Sequence, residues 1–360
     1  MVNQNIFKIK PYIPGKPIEE VMREFKLKKA IKLASNESPF APSKAVLKAI
    51  NQAAKSLNRY PDGSCFYLRK KLAKKLKVEE NQLIFGNGSD ELIVMAMRAF
   101  VSPGDEVIVA QPTFLIYEIA AKICGANLRI VPLKNFRYDL IAMKEAITAN
   151  TKIIFIANPD NPTGTYVNKY EVDEFLRGIP EDIVVYFDEA YYELVMEKDY
   201  PDTLSLLKAG KNLIIARTFS KAYSLAGLRI GYAISTKENI DFLNRCREPF
   251  NVNSLAQAAA FASLDDKSNL VRLKKVIKQG KKYLYDNFKD LGLKYVPSAT
   301  NFILVKVNNE TIARQLLKLG IIVREMSGWG LDNFIRVTIG TQKENQEFIK
   351  ALRFVLKKAK

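Results

Sequence analysis

Four short stretches combine reactive or anion-binding side chains with the turn residues that would hold them still. The first is TFSKAYSLAGLRIGY, Thr218 to Tyr232. Lys221 follows closely on an apolar run, NLIIA, instead of standing on a charged helix face. Desolvation at a strand end lowers an amine's pKa and makes it a nucleophile toward carbonyl carbon; the alternative is one more surface lysine. Thr218, Ser220 and Arg229 in the same stretch are donors suited to a phosphate. The second stretch is LIFGNGSDELIVMAM, in which a strand ends, Gly-Asn-Gly turns, and Ser89 with Asp90 opens a helix. Free N–H groups at a helix N-terminus suit an anion, a phosphate above all. The same residues also make an ordinary turn capped by Ser89 or Asp90.

The third stretch, FIANPDNPTGTY, sets Asn161 between Pro159 and Pro162, with Gly164 behind them. Such a loop holds the amide rigidly toward a ligand, or else the Asn bonds only its own backbone. The fourth, IVVYFDEAYYEL, ends a very apolar strand on Asp188, with Tyr191 three residues later. A buried carboxylate is costly unless a cation or donors meet it, so it pairs either within the protein or with a positive ligand. Together the four stretches ask for one ligand. It has a phosphate for Ser89, Ser220 and Arg229, and a basic nitrogen for Asp188. It has an oxygen acceptor for Asn161 and Tyr191, and a carbonyl for Lys221. Pyridoxal 5′-phosphate has all four.

The elements that must position these residues are legible in outline. Between about Leu83 and Ser235, seven β-rich runs (QLIF, EVIVA, LRIVPL, KIIFIA, IVVYFDEA, NLIIAR and LRIGYAI) are mostly separated by helix-like stretches such as Asp90–Phe100 and Tyr117–Cys124. That alternation predicts an α/β domain with a mostly parallel sheet covered on both faces. Ligands of such sheets collect at the carboxyl ends of the strands. From about Phe250 the texture changes to lysine-rich helical patterns, Ser254–Ser263 and Lys267–Leu291, followed by TNFILVKV, GIIVRE and FIRVTIG. The expected organisation is an N-terminal arm over residues 1–35 that joins a small lobe, a large domain over 36–249, and a small α+β domain over 250–360.

Composition narrows the chemistry. The chain has 360 residues and no histidine. That excludes His-based triads, His-ligated metals and imidazole acid–base work. Cys65, Cys124 and Cys246 share no metal-binding spacing and read as reduced cytoplasmic thiols, so neither a disulfide frame nor a zinc site is expected. No apolar run approaches the roughly 20 residues of a membrane span, and no signal peptide is apparent. The net charge of +18 permits a polyanion-binding reading, but the lysines are interleaved with carboxylates and apolar positions at helical spacing. No nucleic-acid or membrane partner is expected.

In order, GNGSDE, NPDNPTG, DEAYYE and TFSKAYSLAGLRIGY resemble the fold-type-I pyridoxal-phosphate aminotransferases of the aspartate aminotransferase superfamily. PYIPGKPIEEV, KLASNESPFAPS, NRYPDG, GIIVRE and FIRVTIGT extend the resemblance from about Lys10 to Thr341, and are similar to the histidinol-phosphate aminotransferase family. The resemblance implies a large domain with a seven-stranded sheet, a smaller α+β domain, and a cofactor bound covalently to Lys221. By it, Lys221 also shuttles the substrate proton, Asp188 keeps the pyridine nitrogen protonated, and Asn161 and Tyr191 bond the ring oxygen. Ser89, Asp90, Thr218, Ser220 and Arg229 form the phosphate cup, and Phe114 stacks on the ring, unless it is simply a core Phe. Tyr60 is donated to a neighbouring subunit, which implies a homodimer. Arg336 clamps the substrate carboxylate, while Arg324, Tyr12 and Asn36 line the substrate pocket. Arg324 meets a substrate phosphate, or instead pairs with Glu325.

Two positions depart from the pattern: Ser224 stands where relatives often carry Gly, and Trp329 is the only tryptophan. The implied reaction exchanges histidinol phosphate and 2-oxoglutarate for imidazole-acetol phosphate and glutamate. An aromatic-amino-acid aminotransferase, a decarboxylase on the same scaffold and a non-enzymatic polyanion-binding protein are the alternatives.

Overall fold

The computed structural model describes residues 2, 4–307, 309 and 311–358. Its strands are, in chain order, β1 (Ile31–Leu33), β2 (Leu83–Gly86), β3 (Glu106–Gln111), β4 (Asn127–Pro132), β5 (Thr151–Ala157), β6 (Val184–Asp188), β7 (Leu213–Thr218), β8 (Gly231–Ile234), β9 (Tyr295–Val296), β10 (Phe302–Lys306), β11 (Ile321–Glu325) and β12 (Phe334–Thr338). They form two sheets. The larger has seven strands in the order β2-β8-β7-β6-β5-β3-β4. Only β8 runs antiparallel to its neighbours. Each of its strands lies on one of the seven apolar runs in the sequence. Every residue of β6 and β7 is buried, which is why these runs are continuously apolar instead of alternating.

Register decides where chemistry gathers. Ala157 at the end of β5 pairs with Asp188 at the end of β6, and Asp188 pairs in turn with Ala216 near the end of β7. The segments that follow these strand ends carry Asn161, Tyr191 and Lys221. Three parallel strands therefore deliver three of the candidate residues to one edge. β2, held beside β8, leads into the helix Ser89–Phe100 at the same edge.

The smaller sheet has five strands in the order β1-β11-β12-β10-β9. The helices Lys267–Asp290 and Gln342–Lys358 cover it, packing Leu273, Ile277, Leu284, Phe348 and Leu352 against Ile303, Val305 and Ile335. The larger core continues past residue 250. Val252, Ala256, Ala259, Ala260 and Leu264 are part of the larger core, where the helix Ser254–Ser263 meets the helix Lys44–Ala53. Its alanines let the two helices approach closely. Texture alone had grouped it with the lysine-rich helix that follows. The N-terminal arm also divides. The turn Gln4–Lys8 touches the helix Ile116–Ile123 of the larger lobe, whereas Val21 and Ala34 pack on Ile322 of the smaller sheet. Among the described residues, no helix is long and apolar enough to cross a membrane.

Candidate active site

A cavity of about 290 Å³ opens at the carboxyl ends of β5, β6 and β7, facing the N-terminus of the helix Ser89–Phe100. Lys221, Asp188, Tyr191 and Asn161 line it, as do Phe114 and Tyr12. Ser89, Asp90, Thr218, Ser220 and Arg229 line its other end. Residues from Tyr12 to Arg229 thus meet around a space of small-molecule size.

Lys221 donates from Nζ to the carbonyl of Ser35 at 3.2 Å. Burial, with help from the nearby positive charge of Arg336, lowers its pKa to about 8. The amine is therefore available in its neutral, nucleophilic form near neutral pH. Asp188 accepts hydrogen bonds from the Tyr117 hydroxyl at 2.7 Å and from the Ala190 N–H at 3.1 Å. Burial raises its pKa to about 6, against the pull of these two donors. Above that pH it presents a desolvated carboxylate to the cavity, suited to a protonated ring nitrogen.

Tyr191 and Asn161 are both turned into donors by their neighbours. The Tyr191 oxygen accepts from Asn36 Nδ2 at 2.9 Å, and burial raises its pKa to about 12, so its proton stays in place to be donated. Asn161 Oδ1 accepts from Arg336 Nη1, which leaves its NH₂ for a ligand. Two donors aimed at one region suit an oxygen acceptor.

The anion end is built from backbone. The N-cap of the helix Ser89–Phe100 is Gly88, with no side-chain cap. The capping by Ser89 or Asp90 that the sequence allowed does not form. Gly88 has φ +82, and a Cβ there would sit 2.5 Å from Arg229 Nη2; a Cβ on Gly231 would sit 2.7 Å from the Ser89 nitrogen. Glycine at both positions leaves the cradle hollow. Arg229, itself left-handed at φ +54, reaches Asp90 at 3.2 Å and Ser220 Oγ at 3.5 Å. Thr218 orients that serine, donating to its Oγ at 3.0 Å. Ser224 has φ +60, a backbone that glycine adopts freely, and its hydroxyl donates to Ser38 at 2.8 Å.

Four sequence candidates lie outside the cavity lining. Arg336 is buried behind Asn161, with Nη2 donating to the Ala34 carbonyl at 2.8 Å and Nε without a hydrogen-bond partner among the described residues. Asn36 is buried behind Tyr191, its N–H donating to Thr338 Oγ1 at 2.9 Å. Arg324 stands beyond Tyr12, donating to the Ile13 carbonyl at 2.6 Å, with its guanidinium 5.5 Å from the Tyr12 ring. Its partners are a carbonyl and aromatic rings, not the Glu325 carboxylate. Tyr60 is 83% exposed and stacks on Phe250 at 4.8 Å, away from this cavity.

Sequence reasoning missed two residues here. Tyr117 lines the cavity beside Phe114, with ring centroids 5.7 Å apart; the three-residue spacing on a helix start could have found it. Asp160 is fully buried, accepting from the Thr113 and Thr163 hydroxyls, each at 2.7 Å. It ties the Asn161 loop to the Phe114 turn. Nothing local signals that contact, because Thr113 is remote in sequence.

Residues 28–352 match the family model described as aminotransferase class I and II. Among similar proteins, the histidinol-phosphate aminotransferase of Moorella thermoacetica is 50% identical over 354 residues, covering 98% of this chain and 92% of that one. That of Caldicellulosiruptor saccharolyticus is 46% identical over 358 residues, covering 99% of this chain and 100% of that one. The solved structure of histidinol-phosphate aminotransferase from Sinorhizobium meliloti, in complex with pyridoxal-5′-phosphate, is 30% identical and superposes with a TM-score of 0.91, covering 100% of this chain and 98% of that one. With a family match spanning both lobes and the amine, carboxylate and anion cradle meeting in one cavity, this chain belongs to the class I and II aminotransferases.

Proposed function

We propose that the protein is a pyridoxal 5′-phosphate-dependent histidinol-phosphate aminotransferase, which moves the amino group between L-histidinol phosphate and 2-oxoglutarate. The observation that carries this reading is the convergence of Lys221, Asp188 and the Gly88–Arg229 cradle on one cavity. The donor set fits the cofactor group by group: the cradle for its phosphate, Asp188 for its ring nitrogen, Asn161 and Tyr191 for its ring oxygen, Lys221 for its aldehyde. When bound, the cofactor supplies an electron sink for the charge left as the substrate α-proton departs. Lys221, with a pKa of about 8, is matched to taking and returning that proton near neutral pH. Asp188 would hold a proton on the ring nitrogen from its buried position, and Phe114 would pack on the ring face.

Arg336 retains an unpartnered Nε for a substrate carboxylate. Arg324, held at the mouth beside Tyr12, is our choice for the substrate phosphate. The active unit is a homodimer. Leu57, Tyr60, Phe66, Tyr67 and Phe250 are exposed apolar side chains, and a second copy covering them would receive Tyr60 at its phosphate cradle. The free thiols Cys65, Cys124 and Cys246 fit a reducing, cytoplasmic setting.

Steady-state kinetics test the substrate assignment. The kcat/KM for histidinol phosphate is expected to exceed that for phenylalanine by at least about 100-fold, since a site built around a polar group rejects analogues lacking it. Arg324→Gln should erase most of that preference. A clear preference for phenylalanine would overturn the assignment.

Tyr117→Phe probes the ring-nitrogen partner. It removes one donor to Asp188, and a hydrogen bond to a charged group contributes about 1.5–3 kcal/mol. The expected result is an upward shift of the acid limb of the kcat/KM profile by about one pH unit, with weaker cofactor retention on dialysis. An unchanged pH profile would show that the bond is only structural.

A further inference from the structure

We propose that Trp329 is the positioning residue for Arg324 and thereby sets the preference for substrates that carry a phosphate monoester. This rests on the assignment of Arg324 to the substrate phosphate. Trp329 ends the short turn Ser327–Trp329 that follows β11 and is 7% exposed. Its indole N–H donates to the Thr113 carbonyl at 2.9 Å. Thr113 immediately precedes Phe114, and its hydroxyl is fixed by Asp160. The indole is thus anchored to the larger lobe although it belongs to the smaller one.

The Arg324 guanidinium lies 4.9 Å from the centroid of that indole and 5.5 Å from the centroid of Tyr12. Aromatic faces hold a cation in place without neutralising it, as a carboxylate partner would. One of its nitrogens bonds the Ile13 carbonyl, and Nε has no hydrogen-bond partner among the described residues. Arg324 also pairs across the ladder with Arg336, placing two cations on neighbouring strands. That arrangement favours an anionic ligand over an internal ion pair. Arg324 joins the arm to the indole, and the indole joins Arg324 to the Thr113–Phe114 turn, so a phosphate seated on Arg324 would be felt by that ring.

The test compares L-histidinol phosphate with L-histidinol, which lacks only the phosphate, in the absorbance-monitored half-reaction of the holoenzyme. Trp329→Leu removes the ring. It is expected to lower the kcat/KM ratio of the two donors about tenfold, mainly through KM for the phosphate ester. Trp329→Phe keeps an aromatic face but loses the N–H. It should lower the ratio about threefold and restore most of the KM. Because Trp329 also packs on Val296, Leu304 and Met326, the Phe variant decides the matter if the Leu variant fails to fold. Trp329 is the only tryptophan, so inorganic phosphate or histidinol phosphate should shift the emission of the wild type but not that of Arg324→Gln. If Arg324→Gln leaves the donor ratio unchanged, the phosphate assignment itself falls. If it lowers the ratio while both Trp329 variants preserve it, only the role of Trp329 is wrong. Equal losses with both donors would show that Trp329 is merely structural, which also overturns the proposal.

Discussion

Replacing Lys221 with alanine is expected to lower kcat by at least about 10⁴-fold, because in the proposed mechanism one side chain would serve both the carbonyl bond and the proton transfer. A loss of that size corresponds to about 5.5 kcal/mol of barrier. The fold should survive it. The hydrogen bond that ties Nζ to the protein is the one to Ser35. The amine's pKa is depressed to about 8 by burial, so its ammonium form, still the major one at pH 7, costs more in the folded state than in the unfolded chain. That cost is present below the folded pKa and is relieved as pH rises toward the unfolded value. Removing the amine removes the cost, and the melting temperature of the cofactor-free variant at pH 7 should be no lower than that of the wild type. Lys221→Arg provides the control. It keeps the charge but cannot release its proton, and should be as inactive as the alanine variant. A single-turnover experiment with glutamate, paired with thermal melts, measures both effects. Residual turnover within about 100-fold of wild type would show that another base moves the proton.

Asp188→Asn should separate activity from stability. In the proposed site the ring nitrogen would lose its counter-charge without the carboxylate, and kcat is expected to fall roughly 10³-fold. The cofactor-free protein should become more stable at neutral pH. Burial raises the Asp188 pKa from an ordinary 3.8 to about 6. The native state therefore holds its proton more tightly than the unfolded chain does, and stability falls as pH rises through that window. Above about pH 6 the full cost is present, on the order of 3 kcal/mol at 1.36 kcal/mol per unit. Asn avoids it. The variant should show a flatter stability profile between about pH 4 and 7 in urea titrations. Asp160, raised to about 6 by burial, and Glu193, raised to about 7 by burial, add slope of the same sign in both proteins. Only the difference between variant and wild type belongs to Asp188. A variant less stable than wild type at pH 7 would show that the bonds to Tyr117 and Ala190 outweigh the burial cost.

What the sequence revealed follows from the range of its signals. The runs of the larger sheet were readable because the central ones, β5, β6 and β7, are nearly continuous apolar segments buried on both faces, whereas β4 at the edge is largely exposed and read through its flanking turns. Asp188 was readable because it ends such a run, and Lys221 and Asn161 because each closely follows one. That the helix Ser254–Ser263 packs on the larger core was not readable, since its partner, the helix Lys44–Ala53, lies far away in the chain. Tyr117 and Asp160 stayed hidden for a related reason. Their importance lies in what their side chains touch, Asp188 in one case and Thr113 in the other. The positions of Arg336 and Asn36 behind the cavity wall, holding Asn161 and Tyr191 from the smaller lobe, also depend on strand register that no local pattern encodes.

The two sheets divide the labour in a way that bears on ancestry. Lys221, Asp188, Asn161 and the Gly88–Arg229 cradle all hang from the seven-stranded sheet, whereas Arg324, Arg336 and Trp329 belong to the five-stranded one. A lineage that keeps Arg336 and Asn36, which hold Asn161 and Tyr191, could therefore trade one amino donor for another by rewriting the rest of the smaller sheet and its arm, inheriting the reactive machinery.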